Sequence, residues 1–326
     1  VKKIKGVCKM VVKTLNKSEL PLYTQLLQQS NYPYIFQTIP YLETLIKLNQ
    51  TFEIVGIFED ETLKYALPVQ KKKLPGINKY FYFIPYGVIT CEEDINNDII
   101  NMFIAYLKKT AIFIKLALKD KISIDSFEYI GENTTLMLDL NNDIDNIFSN
   151  FSKTHRNCTR KAIKDGVLVR IDNSNKVIDE FINLYSILMN QKQIDAIDLK
   201  FLREVISKLI KDELGFFAVA AYNDIIYNIA FISTINQHAR YLYGASRRTE
   251  EKLPPIGQYL HYEIIKYLKE NNFVNYDFGG IPNLPVSEED HSYLVYKFKK
   301  GFGGEPVITH HDYTYRKFKL LKYLFK

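Results

Sequence analysis

Asn275-Tyr-Asp-Phe-Gly-Gly-Ile281 and, shortly after it, Tyr296-Lys-Phe-Lys-Lys-Gly-Phe-Gly-Gly304 are the stretches on which the reading of this chain turns. In the first, Tyr276 and Phe278 alternate around Asp277, the period of a strand with one apolar face. Gly279 and Gly280 then end the ladder. In the second, aromatic and basic residues alternate up to Gly301, Gly303 and Gly304. Glycine clusters so near one another require either sharp turns or the close approach of another group to the backbone. Lys297, Lys299 and Lys300 put positive charge there, suited to a substrate oxygen.

Outward from this strand the chain reads as mixed α and β. Upstream lie a helix over 255–271, a strand over 240–243, and a hairpin of 216–222 with 225–234 turning on Asn223-Asp224. Helices are expected over 144–165, 177–191 and 199–211, with a strand over 167–171. The first half begins with a helix over 18–30, N-capped by Ser18, and a short one over 39–48 led by Pro40. Strands over 52–59 and 63–71 join at Asp60-Glu61, and a strand region over 79–90 is broken at Pro85-Tyr86-Gly87. A helix over 94–109 and strands over 111–118 and 134–140 close this half. Both halves run helix, helix, hairpin, strand, helix, strand. That order points to a duplicated α/β unit.

Composition narrows the class. A chain of 326 residues, 47% hydrophobic and 25% charged, is globular and long enough for two cores. The net charge of +6 is modest, so only local basic clusters carry meaning. Cys8, Cys91 and Cys158 form neither a disulfide framework nor a CxxC metal site, which suits a reduced, cytosolic setting. The amino-terminal residues have no signal-peptide core, and no apolar run reaches the ~20 residues of a membrane span. His310 and His311 have no further ligand at metal spacing, so a zinc site is not expected. Serine hydrolase, phosphate-loop and dinucleotide patterns are missing as well.

The hairpin, Tyr241-Leu-Tyr-Gly-Ala-Ser246, the helix from Pro254 and Tyr276-Asp-Phe-Gly-Gly-Ile281 resemble the FemAB family of peptidoglycan interpeptide-bridge aminoacyltransferases. Phe298-Lys-Lys-Gly-Phe302 is similar to that family's Phe-Lys-x-x-Phe signature. Arg156-Asn-Cys-Thr-Arg-Lys-Ala-Ile-Lys-Asp-Gly-Val167 is similar to its basic helix. Phe36-Gln-Thr-Ile-Pro-Tyr41 and Ile84-Pro-Tyr-Gly-Val88 match its first-half segments more loosely. The resemblance implies an α/β chain of two tandem GNAT-like (acyl-CoA N-acyltransferase-like) domains with mixed sheets. They would be residues 1–143, completed by 312–326, and residues 144–311. Nothing between Phe181 and Gly215 is long enough for the helical arm of some members, so the chain is similar to the compact, FemX-like ones. The implied activity moves an amino acid from aminoacyl-tRNA to an amine of a peptidoglycan precursor, lipid-linked or UDP-linked. It would use no cofactor, metal or covalent intermediate, in the cytoplasm or peripherally at the inner face of the membrane.

On that reading an amine attacks an activated ester, and the site must stabilise an oxyanion while holding two large substrates. Lys299 stands where the family places this charge; the alternative is a solvated lysine at a strand edge. Asp277 either orients the amine or takes its proton, or else satisfies nearby backbone N–H groups. Arg156, Arg160 and Lys164, spaced by four, share a helical face that either grips phosphates or is simply solvated. Tyr241 and Tyr243 should point to one face of their strand. The resemblance makes Tyr243 an acceptor contact rather than a core tyrosine, and Phe298, Gly279 and Gly280 complete the expected binding set.

In armless members an Arg and, four residues on, a Tyr hold the diphosphate of a UDP-linked acceptor. Ile197 and Phe201 take those places here, which favours a lipid-linked precursor or another envelope amine, unless Lys192, Lys200 or Arg203 substitutes. The tail from Tyr313 is expected to dock on the first domain through Phe318, Leu321, Leu324 or Phe325, or else to touch a membrane. The rival activity is an acyl-CoA N-acyltransferase acting on an envelope amino sugar or peptide. The stretch from Arg247 to Gly257 that would cradle pyrophosphate has a single glycine, two prolines that cannot donate, and repelling Glu250 and Glu251. A non-catalytic scaffold of the same fold is the remaining alternative.

Overall fold

The computed structural model describes residues 10–31, 33–192, 197–290 and 292–318. In chain order the elements are β1 (Met10–Thr14), α1 (Leu20–Gln29), α2 (Ile39–Thr44), β2 (Thr51–Glu59), β3 (Thr62–Lys73), β4 (Tyr80–Ile84), α3 (Asn97–Leu107), β5 (Ala111–Leu118) and β6 (Glu128–Asp139). There follow α4 (Ile144–Ser149), α5 (Lys153–Lys164), β7 (Leu168–Ile171), α6 (Asn175–Lys192), α7 (Leu199–Lys211), β8 (Gly215–Tyr222), β9 (Ile225–Ile235) and β10 (His238–Ser246). The chain closes with α8 (Ile256–Glu270), β11 (Asn275–Ile281), α9 (Tyr293–Lys300) and β12 (Glu305–Arg316).

The chain divides into two compact units, one of Val1–Glu132 with His310–Lys326, the other of Asn133–Thr309. The expected boundaries at 143/144 and 311/312 fall after β6 and within β12, the strands along which the chain passes from one unit to the other. In the first unit the strand order is β1-β2-β3-β4-β5-β12, antiparallel throughout except that β4 and β5 run parallel. In the second it is β7-β8-β9-β10-β11-β6, again antiparallel except for the parallel β10 and β11. The same order and the same senses recur. A parallel pair needs a helical crossover, and α3 and α8 supply it.

Local chemistry explains these elements. Asn223 and Asp224 both take positive φ, as do Asp60 and Glu61, so each hairpin turns on a primed two-residue loop. The 3-10 turn Lys17–Glu19 that leads into α1 is capped by Asn16, whose side chain accepts from the Ser18 N–H, and Ser18 is not a cap. The helical stretch expected over 144–165 breaks in two because Ser152 N-caps α5. In α8, Ile256, Leu260, Ile264, Ile265 and Leu268 make a buried stripe against Tyr276 and Phe278 of β11 and Ala218, Ala220, Ala230 and Ile232 of β8 and β9. In the first unit, Ile99, Ile100, Phe103, Ile104 and Leu107 of α3 pack on Val55, Leu67, Val69, Tyr82, Ile84 and Ile114. The looser family-like segments of that unit meet: Gln37 Nε2 donates to the carbonyls of Tyr86 and Gly87, each at 3.2 Å.

The stretch from Tyr296 departs from its strand-like alternation. It is the helix α9, because Phe298 and Phe302, four apart, meet each other and both land on His261 of the second core, Phe302 also stacking on Phe278. Lys299 is therefore a helical residue and not a strand-edge lysine. A second correction concerns β10. A bulge lies between Tyr241 and Tyr243, so Tyr241 pairs with Ile232 on the α8 face whereas Tyr243 pairs with Phe231 on the opposite face. The two tyrosines point to opposite sides, Tyr241 against His261 and Tyr243 against Tyr185 of α6.

The glycine cluster after Lys300 admits protein groups. A Cβ on Gly301 would lie 2.1 Å from His155 Cε1, and one on Gly304 would lie 2.7 Å from Leu136 Cδ2. Gly303 takes φ +86° with the Asn150 carbonyl oxygen 3.0 Å from the place of its Cβ. Gly301→Ala should therefore lower the stability of the protein by about 1–3 kcal/mol, the usual cost of overpacking. In a His155→Ala background that cost should largely vanish, read from denaturant midpoints in a double-mutant cycle. Equal costs in both backgrounds would remove the imidazole as the reason for this glycine.

Candidate functional site

Lys299 is held at the end of β11 by the last turn of α9. That turn is stitched to α5 by groups the sequence does not advertise. The Ser152 N–H donates to the Gly301 carbonyl at 2.8 Å, and His155 Nε2 lies 2.9 Å from the Phe298 carbonyl oxygen. Helix-terminal carbonyls lack intrahelical partners, and here an imidazole supplies one. His155 Nδ1 lies 3.0 Å from Ser152 Oγ, and burial holds the ring's pKa below the ordinary histidine value. His155 is thus neutral, donating from Nε2 and accepting at Nδ1. His261 of α8 sits among Tyr241, Phe278, Phe298 and Phe302, with Nδ1 3.0 Å from Tyr276 Oη. Burial, reinforced by the neighbouring Lys299 ammonium, pushes it down to about 3, so it too is a neutral packing group.

The Lys299 ammonium donates to the Gly280 carbonyl oxygen at 2.6 Å. An ammonium has three N–H groups, which leaves further donors for a substrate oxygen. Burial strips water from it and pulls its pKa down to about 8, with Arg240 pushing the same way and Asp277 opposing. The other lysines of the stretch are differently used. Lys300 bridges the Gly304 carbonyl and the Glu305 carboxylate at 2.8 and 2.9 Å, and Lys297 lies over the Tyr293 ring.

Asp277 is 4% exposed and occupies the face of β11 opposite Tyr276 and Phe278. Its Oδ1 accepts from the Gly279 N–H at 2.7 Å and from the Thr135 hydroxyl of β6. Its Oδ2 lies 3.5 Å from Nε of Arg240, its register neighbour on β10. Gly279 has φ +79°, the register of β11 on β6 shifts between Asp277 and Gly280, and a Cβ on Gly279 would stand 3.3 Å from the Tyr241 carbonyl oxygen. The carboxylate therefore pins a glycine bulge that turns the Gly280 carbonyl toward Lys299. Tyr243 shares the face of Arg240 and Asp277 as a consequence of the β10 bulge.

The basic face of α5 is partly spent. Arg156 donates to the carbonyls of Ser149, at 2.8 Å, and Phe151, closing the end of α4. Arg160 lies over the Phe148 ring at 5.4 Å, and Lys164 is exposed. Phe201 is buried in α7, where Asp198 accepts from its N–H, and Arg203 pairs with Asp179. The side chain of Lys192 lies outside the described residues, as do Leu321, Leu324 and Phe325; Phe318 is exposed. Among the described residues no group of His, Cys, Asp and Glu is placed to hold a metal ion. None of their helices is long and apolar enough to cross a membrane. Sequence reading missed Arg240, Thr135, His155 and His261. A histidine three residues after the N-cap serine and an arginine in a strand carry no signal of their own.

Residues 149–297 match the acetyltransferase (GNAT) domain model, inside the second unit. A lipid II:glycine glycyltransferase of Staphylococcus haemolyticus (strain JCSC1435) is 30% identical over 93 residues, 28% of this chain and 22% of that protein. The chain thus spans about a fifth of the length of that relative. In fold, the crystal structure of FemX superposes with a TM-score of 0.77 over 96% of this chain and 99% of that one, at 16% identity. A tandem GNAT protein from the clavulanic acid biosynthesis pathway gives 0.56 over 95% and 99%, at 11% identity. The fold is GNAT-like, as expected for both units.

The charge on Lys299 is directly measurable. Amine-selective acylation across the neutral-to-alkaline range, followed by peptide mass spectrometry, should give Lys299 a half-maximal reactivity near pH 8. A midpoint at the ordinary lysine value would show an ammonium fully solvated in solution.

Proposed function

We propose that this FemAB-like chain is an aminoacyltransferase, moving an amino acid from aminoacyl-tRNA to an amine of a peptidoglycan precursor. The observation that carries the reading is the half-desolvated ammonium of Lys299, tethered by one bond to the Gly280 carbonyl at the end of the parallel strand pair. As the amine attacks the ester carbonyl, negative charge gathers on its oxygen. The bond to the donor's ribose oxygen then breaks, the proton lost by the amine passing to that oxygen, and the amide remains. A fixed cation in a site of lowered dielectric stabilises that oxyanion more than the ground-state ester, which is what raises kcat. Tyr243, on the face of Arg240 and Asp277, and the Gly279-Gly280 bulge border the place the acceptor would take. The exposed Lys164 and the partly used Arg156 and Arg160 would lend charge toward a phosphate-bearing substrate.

Two local features favour tRNA over acyl-CoA as the donor. Arg247 is turned away into a bond with the Ile226 carbonyl at 3.0 Å and an ion pair with Glu180. The helix α8 begins after Pro254 and Pro255 with no side-chain cap. For the acceptor, the burial of Phe201 and the Arg203–Asp179 pair leave no ready diphosphate clamp on α7, which favours a lipid-linked precursor over a UDP-linked one.

Lys299→Met should lower kcat roughly a hundredfold or more with little change in KM, measured with charged tRNA and lipid-linked precursor. The fold should survive, and acetyl-CoA should give no product. Acetylated product together with micromolar acetyl-CoA binding would replace this reading with an acyl-CoA transferase.

A further inference from the structure

The strand that bears Lys299's anchor also carries a pair of opposite charges. Arg240 and Asp277 are register neighbours on the parallel β10 and β11, 3.5 Å apart from Nε to Oδ2. The other carboxylate oxygen is taken by the Gly279 N–H and the Thr135 hydroxyl. From the same bulge the Gly280 carbonyl reaches Lys299 Nζ at 2.6 Å. Asp277 thus meets Arg240 directly and is linked to Lys299 through the backbone of the bulge. We propose that Arg240 and Asp277 are a positioning pair for Lys299, the one repelling and the other attracting its ammonium, so that together they set where it stands and when it is charged.

The pair rests on the reading of Lys299 as the oxyanion-stabilising cation. Asp277 is placed for this task and poorly placed as a base, because both of its oxygens are engaged and the side chain is buried. Among the described residues, the charges that bear on Lys299 are those of Asp277 on β11 and Arg240 on β10. His261 of α8 and His155 of α5 are held neutral by burial, while the carboxylates at α9, Glu305 and Glu288, are bonded to Lys300 and Tyr293. Thr135 of β6 is uncharged. Burial lowers the Lys299 pKa, Arg240 lowers it further and Asp277 raises it. A lysine carries its charge below its pKa, so an activity that needs the cation must decline as pH rises through that value.

Opposite shifts follow from the two neutralising variants. In Arg240→Gln the acylation midpoint of Lys299 should move up from about 8, and in Asp277→Asn it should move down, each by roughly one pH unit. Asn keeps an oxygen to accept the Gly279 N–H, so the bulge has a partner in that variant. Arg240→Lys, which restores the charge, should return the midpoint toward that of the unaltered protein. The alkaline limb of kcat should follow the midpoints, later in Arg240→Gln and earlier in Asp277→Asn. Midpoints that stay together, or that move in the same direction, overturn the pair. Midpoints that separate as expected while the kcat limbs do not follow support the pair and reject Lys299 as the catalytic cation. A general loss of activity through misfolding would lower kcat without separating the midpoints, and that also counts against the pair.

Discussion

A carboxylate buried in a sheet must have every oxygen satisfied, or it neutralises or unfolds its surroundings. Asp277 meets that condition by drawing on three strands together: the Thr135 hydroxyl from β6, Arg240 from β10, and the N–H of Gly279 two residues along its own β11. Each partner fixes something beyond the charge. Thr135 holds the antiparallel register across the bulge, Arg240 holds the parallel one, and the Gly279 bond holds the bulge itself. The direction of the Gly280 carbonyl, and with it the position of the Lys299 ammonium, follows from that one group.

The duplication shows how much of this is specific to one unit. The parallel pair β4 and β5 of the first unit occupies the same place in its sheet order as β10 and β11 of the second. Its register partners are Tyr80 with Ala111, Phe81 with Phe113, Tyr82 with Ile114, Phe83 with Lys115 and Ile84 with Leu116, with no carboxylate among them. An aromatic and aliphatic pairing needs no carboxylate. In the second unit the same topological position carries Arg240 opposite Asp277 and a bulge in each of β10 and β11. One backbone plan has been filled once without a carboxylate and once with opposed charges.

How far the sequence discloses this depends on the range of the interaction. Alternation of Tyr276 and Phe278 around Asp277 marks β11 correctly, and Asn223-Asp224 marks the hairpin, because both signals are local. The helix α9 was legible only through the four-residue spacing of Phe298 and Phe302, which outweighs the shorter alternation of lysine and aromatic because it is the spacing that buries both rings. Glycine clusters announce a close approach without saying what approaches; at Gly301 it is His155, from a helix far upstream. The opposite facing of Tyr241 and Tyr243 was hidden, since a bulge inverts every side chain beyond it and leaves no compositional mark. Arg240 was hidden for a different reason. Its meaning comes from Asp277 across a parallel pair, and no local pattern joins residues separated by a crossover helix.

The lowered pKa of Lys299 joins energetics to function. Its native-state value of about 8 lies below the ordinary lysine value of 10.5, so the native state binds the proton less tightly than the unfolded chain does. Below pH 8 the folded protein must hold a charge that burial and Arg240 disfavour, and this opposition to folding fades as pH rises toward 10.5. A lysine placed for stability would sit in water and avoid that cost. Retaining it, with a second cation on the neighbouring strand, makes sense where the ammonium has work to do against an oxygen. A more acidic ammonium is a stronger hydrogen-bond donor, and in the proposed reaction partial desolvation would strengthen its pull on the oxyanion. The same burial that weakens the fold therefore sharpens the donor, while the Asp277 carboxylate keeps the group from losing its proton altogether at neutral pH.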